Sequence, residues 1–116
     1  MTPVDIPALT AAETADLYRS GELSPVEAAD GLLERIEALD PAVNAFCHLD
    51  PEVTLAQARA AEARFAGGEP SSPIDGIVVA VKDTFLTDGW PTLKGSRLVD
   101  RAQPWTDDAP AVALSR

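Results

Sequence analysis

Pro73-Ile74-Asp75-Gly76-Ile77-Val78-Val79-Ala80-Val81-Lys82-Asp83, followed by Gly89-Trp90-Pro91-Thr92-Leu93-Lys94-Gly95-Ser96, is the stretch on which the reading of the fold turns. Ile77 to Val81 is a short apolar run, rich in β-branched residues and bounded by turn formers. Such a run predicts a strand buried on both faces. Lys82 sits at its carboxyl end. In sheets flanked by helices, ligands gather just beyond the carboxyl ends of strands, so a basic residue delivered there is a candidate for chemistry. The plain alternative is that Lys82 marks where the strand meets water, the ordinary place for a lysine.

The wording of this stretch adds to that reading. Gly76-Ile77-Val78-Val79-Ala80-Val81-Lys82-Asp83, with Gly89, Thr92, Gly95 and Ser96 behind it, resembles the first block of the amidase signature family. The resemblance runs from about Leu9 to Pro110. One departure is visible: Val78 stands where the family's "GIPVAVKD" has proline, a change that a strand tolerates. The resemblance implies a serine hydrolase that cleaves carboxamides with a serine, serine, lysine triad. It also implies that Lys82, the lysine of "VAVKD", is the catalytic base. The implied fold is α/β: amino-terminal helices plus the first strands of a mixed sheet flanked by helices, here incomplete. No metal or organic cofactor is implied.

The chain has 116 residues, enough for one small domain at most. The resemblance implies that residues 1–116 are the amino-terminal part of a single amidase domain. Within it, 10–40 would form a helical entry, 42–96 the first strands and the lysine block, and 108–116 a helix cut short. A formal charge of -10 disfavours direct contact with nucleic acid, whose phosphates need lysine and arginine to displace counterions. One cysteine, Cys47, excludes an internal disulfide. The opening Met1-Thr2-Pro3-Val4-Asp5 lacks the basic start and apolar core of a signal peptide, and no apolar run is long enough to span a membrane. The expected location is the cytoplasm.

Two capping boxes stand out upstream. In Thr10-Ala11-Ala12-Glu13 the hydroxyl and carboxylate can each satisfy a free amide of a helix start, and Gly21 offers a left-handed stop, which predicts a helix over 11–20. Ser24-Pro25-Val26-Glu27 repeats the arrangement, with proline at the first helical position. Val26, Ala29, Leu33, Ile36 and Leu39 then form one apolar stripe on a second helix, predicted to end near Asp40-Pro41. From Pro51 to Ala66 a third helix is predicted, with Leu55, Ala58, Ala61 and Phe65 on one face and Gly67-Gly68 ending it.

Residues 42–49 read as another strand and carry Cys47 and His48. Neighbouring side chains on a strand point to opposite faces, so these two could not converge on one ion or substrate atom. A zinc site would have to rely on carboxylates, a poor composition for it. A buried thiol and a half-exposed imidazole are expected instead. Residues 84–96 read as a loop. Trp90 and Trp105 either line a substrate entrance or anchor loops, and anchoring is the commoner role. Asp107 and Asp108 suggest an acid pair, but Asp108-Ala109-Pro110 fits the cap of a further helix better.

The family's other two catalytic residues belong to "GGSSGG" and "GGSI" segments, and neither segment occurs in this sequence. Ser71 and Ser72 lie in a proline-flanked linker, and Ser96 has no neighbouring glycine pair to donate amides, so none of them fills the gap. An ordinary lysine, with a pKa of ~10.4, is neutral in only about one molecule in two thousand at pH 7. General-base work therefore needs burial and hydroxyl partners. The expected function is a fragment of an amidase hydrolysing a carboxamide to carboxylate and ammonia or amine, inactive alone. Its substrate would be a small-molecule amide, with no membrane partner. Two alternatives stand beside it: a fragment of the tRNA-linked amidotransferase subunit, which shares the lysine block, and a non-catalytic binding module. Unpaired strand edges would favour association into a homo-oligomer.

Overall fold

The computed structural model describes residues 4–115. Among these are four α-helices: α1 Ala11–Ser20, α2 Pro25–Val43, α3 Pro51–Ala66 and the short α4 Pro110–Ser115. A 3-10 turn at Ile6–Ala8 precedes them. Arg116, to which the last helix was expected to run, and the opening residues 1–3 lie outside the described residues.

The first helices begin as their sequences dictate. Thr10 Oγ1 accepts from the Glu13 amide at 3.2 Å, and Glu13 Oε2 accepts from the Thr10 amide at 2.8 Å. Ser24 and Glu27 repeat the exchange at 3.1 and 2.8 Å. Each box satisfies two amides that a helix start leaves without partners. Gly21, at φ 77°, ends α1 in the left-handed conformation that glycine adopts without strain. Helix α3 starts at Pro51, with the Asp50 carboxylate accepting from the Val53 amide at 3.2 Å.

Helix α2 departs from expectation. It continues through Pro41 to Val43 and is closed by Asn44 at φ 50°. The Asn44 amide donates to the Asp40 carbonyl, and Asp40 Oδ1 accepts from the Ala45 amide, at 2.6 and 2.7 Å. A proline one turn from a helix end forfeits one backbone bond, and these caps make up for it.

The chain divides into two compact units. The first runs through Ala45 and takes in Leu49–Val78; the second holds Phe46–His48 and the chain from Val79 onward. In the first unit α2 packs on α3, and the residues they bury are small: Ala28 and Ala29 on α2, Ala58 and Ala61 on α3. Around Tyr18, Leu23 and Ala28 gather the partly buried Ile6, Leu9, Leu17, Phe65 and Ile77. The Tyr18 ring meets Phe65 edge-on, with centroids 5.5 Å apart. Removing this apolar surface from water drives the unit together, and alanine lets the helix backbones approach closely.

The linker ahead of the lysine block is held by side chains of two helices. Arg64 Nε and one terminal nitrogen donate to the two oxygens of buried Asp75, both at 2.7 Å, and the Ser71 amide donates to Asp75 at 2.8 Å. The Arg64 guanidinium, with the Ser71 amide, holds the Asp75 carboxyl well below the usual carboxylate range despite the cost of burial. Arg19 reaches the Pro73 carbonyl at 3.3 Å, and the Tyr18 hydroxyl donates to the Gly76 carbonyl at 3.1 Å. Gly76 has φ 79°, and a Cβ placed on it would meet Pro25, Tyr18 and Ala61 at 3.1 to 3.3 Å.

The α/β expectation fails: among the described residues no strand or sheet forms. Residues 77–82 are irregular, and Val79 is 56% exposed rather than buried on both faces. The strand predicted over 42–49 is absent too: 42 and 43 belong to α2, and 44–49 are irregular. A strand is defined by its partner, since its amides and carbonyls must pair with a neighbour, and no described segment forms a ladder of backbone hydrogen bonds with either run. The one described β contact is an isolated antiparallel bridge between Thr87 and Trp90.

Candidate functional site

Lys82 lies in the second unit, whose described residues other than α4 are turns and loops. Its side chain is exposed, and its carbonyl accepts from the Phe85 amide at 3.0 Å, which turns the chain immediately after the block. Among the described residues no hydrogen bond or ion pair engages its ammonium group.

The neighbouring Asp83 is tied down. Its Oδ1 accepts from the Leu93 amide at 2.7 Å and its Oδ2 from the Gly95 amide at 3.4 Å, while its backbone carbonyl takes the Lys94 amide at 3.1 Å. Lys94 and Gly95 both have positive φ, 54° and 65°. Successive amides curled by such a backbone make a concavity that suits an anion, and Asp83 occupies this one. The Leu93 amide is the largest cause that holds the Asp83 carboxyl below its ordinary value; the Gly95 amide and the Cys47 thiol add to it, against partial burial.

Cys47 is exposed, not buried as the strand reading expected. Its thiol bonds the Asp83 carboxylate; partial desolvation, followed by the Asp83 charge, pushes it above its ordinary pKa. That disfavours the thiolate and therefore nucleophilic use. His48 is half-buried, as expected, and its ring lies on Trp90 with centroids 5.2 Å apart. No group of three metal-ligating side chains converges among the described residues.

The tryptophans anchor loops. The Gly89 amide donates to the Trp105 carbonyl at 2.7 Å, and Trp105 Nε1 donates to the Arg101 carbonyl at 3.3 Å. Asp108 accepts from the Asp88 amide at 2.7 Å, and the Ala109 amide donates to the Leu86 carbonyl at 2.8 Å, so residues 86–90 are fastened to 105–109. Pro110 opens α4 as the sequence suggests. The serines hold local turns: Ser72 Oγ accepts from Ile74 and Ser96 Oγ from Leu98.

Against known families, the model described as Amidase matches residues 27–116, most of the chain and all of the lysine block. The chain belongs to the amidase family. Similar relatives of this amidase chain bear the name of the A subunit of glutamyl-tRNA(Gln) amidotransferase. The one from Salinispora arenicola is 47% identical over 86% of the chain, and that from Streptomyces coelicolor 47% identical over 83%. The Geobacter metallireducens protein is 46% identical over 91% of the chain. The amidase chain spans about a fifth of the length of these relatives, from 19% to 22%. No solved structure matches it. No helix among the described residues of this chain is long and apolar enough to cross a membrane.

The sequence alone assigns Asp83 no role and makes Cys47 a packing residue. Two signals point to the observed arrangement: a carboxylate beside the candidate lysine, and Gly95 twelve positions on, a residue suited to the positive φ that curls its amides inward.

Proposed function

We propose that this chain is the amino-terminal part of a single amidase domain, and that Lys82 is the proton-transferring residue of an amide C–N hydrolase. The observation that carries the reading is the family match across residues 27–116, with Lys82 standing at the lysine of the "VAVKD" block. In the complete enzyme neutral Lys82 accepts a proton through one serine hydroxyl, and a second serine attacks the amide carbonyl. Ammonia or an amine leaves, and water releases the acyl group as a carboxylate. The exposure of Lys82 supports the further expectation that the 116-residue chain does not turn over amides by itself. A base needs a neutral amine, and residues that cover a lysine and offer it hydroxyls are what favour that form.

A second reading is favoured by the relatives' name: the substrate amide is that of glutamine, and the ammonia passes to a tRNA-linked acid with the help of partner subunits. Ammonia release is the assay for both, using the gene read onward past codon 116 and a panel of simple carboxamides plus glutamine. Turnover of simple carboxamides without partners supports the stand-alone amidase, and turnover of glutamine that rises on adding partner subunits supports the second reading. In either case Lys82→Ala should lower kcat by about 10² to 10⁴, the usual worth of a positioned proton-transfer group. Retained activity in that variant refutes the assignment of Lys82.

A further inference from the structure

We infer that Asp83 is a positioning residue for Lys82, fixing the lysine by binding the curled amides of residues 93–95 instead of pairing with the adjacent ammonium group. This rests on the reading of Lys82 as the reactive amine.

Lys82 leaves an irregular segment, residues 77–82, that no ladder of hydrogen bonds restrains. Two anchors come directly after it. The Lys82 carbonyl is taken by the Phe85 amide, and the Asp83 side chain is held by Leu93 and Gly95 at 2.7 and 3.4 Å. The Asp83 carbonyl takes the Lys94 amide between them. With residue 83 held through both backbone and side chain, the peptide joining it to Lys82 has little freedom, and the lysine starts from a set direction.

Charge gives the second half of the case. A carboxylate beside a lysine would ordinarily pair with it and favour the ammonium form, which a base must give up. Here the Asp83 oxygens are engaged by amides and by the Cys47 thiol, and no ion pair joins Asp83 to Lys82. The depressed Asp83 carboxyl is consistent with that commitment. The site thus keeps an acid next to its amine with the acid's hydrogen-bonding capacity directed elsewhere.

The test needs no turnover. The backbone three-bond couplings of Lys82, with amide exchange at Leu93 and Gly95, are measured by NMR on the 116-residue chain and on Asp83→Asn and Asp83→Glu. We expect Asp83→Asn to speed exchange at Leu93 and Gly95 at least tenfold and to move the Lys82 backbone couplings from single-conformer to averaged values, with Asp83→Glu intermediate. If exchange at Leu93 and Gly95 speeds up while the Lys82 couplings stay put, Asp83 only holds the loop and the inference is overturned. Unchanged exchange overturns it as well. Neither result bears on Lys82 as a base, which the kinetics of Lys82→Ala decide separately.

Discussion

Gly76→Ala is the substitution whose effect the structure specifies most closely. At φ 79° any side chain is strained, by roughly 1–2 kcal/mol for an L-residue in the left-handed region. The added methyl would also lie 3.1 Å from Pro25 Cγ, 3.2 Å from the Tyr18 ring and 3.3 Å from Ala61 Cβ. Pro25 and Ala61 are anchored in helices and cannot swing aside, so overpacking adds about 1–3 kcal/mol. Alanine's stiffer unfolded chain returns about 0.4–1 kcal/mol. The net expectation is a loss of about 2–4 kcal/mol, a large part of a small domain's stability. With a urea slope of about 1.5 kcal/mol per molar, the unfolding midpoint followed by helix circular dichroism should fall by roughly 1.3–2.7 M. Gly21→Ala is the control, because Gly21 has nearly the same φ, 77°, and nothing within 4 Å of its would-be Cβ. It should lose about 1 kcal/mol. Equal losses in the two variants would refute the claim that Gly76 is packed from three sides.

Three further outcomes are expected of the helical unit. The Asp75 carboxyl is depressed below its unfolded value of 3.8, so its stabilising contribution is complete above that pH and is lost as pH falls through the lower folded value. Urea midpoints between pH 5 and 2 should decline, and Asp75→Asn should flatten that decline; a parallel decline in the variant would contradict the role of the Arg64 pair. The Tyr18 phenol is pushed up to about 12 by burial, so its contribution is complete below pH 10 and disappears as pH rises towards 12. Absorbance titration should place its midpoint there, and Tyr18→Phe, which strips a donor from the Gly76 carbonyl, should cost about 1–2 kcal/mol in urea unfolding. Ser24→Ala removes one half of a capping box and should cost about 1 kcal/mol by the same measurement, with Ser24→Thr restoring most of it.

What was legible in the sequence was local. Thr10 with Glu13 and Ser24 with Glu27 act three residues apart, so a reader of the chain has both partners in view, and α1, the start of α2 and all of α3 lie where they were expected. Pro41 misleads because its effect depends on its neighbours: the Asp40 and Asn44 caps carry the helix past it. The apolar run at 77–81 misleads for a non-local reason. Composition says that Ile77 to Val81 would suit a sheet, but only another strand can make one, and no described segment does. The same limit hid Asp83, whose partners stand ten and twelve positions away and matter only once Lys94 and Gly95 turn their amides inward.

The division of the chain into two units also sorts its chromophores. The helical unit contains the single tyrosine and no tryptophan, whereas both tryptophans, Trp90 and Trp105, fall in the unit that carries Lys82. Fluorescence excited at the red edge of the tryptophan band therefore reports the loops alone, while ellipticity reports α1, α2 and α3. Melting curves from the two signals measure, without any label or substitution, whether the lysine-bearing loops gain order with the helices or only when something further binds them.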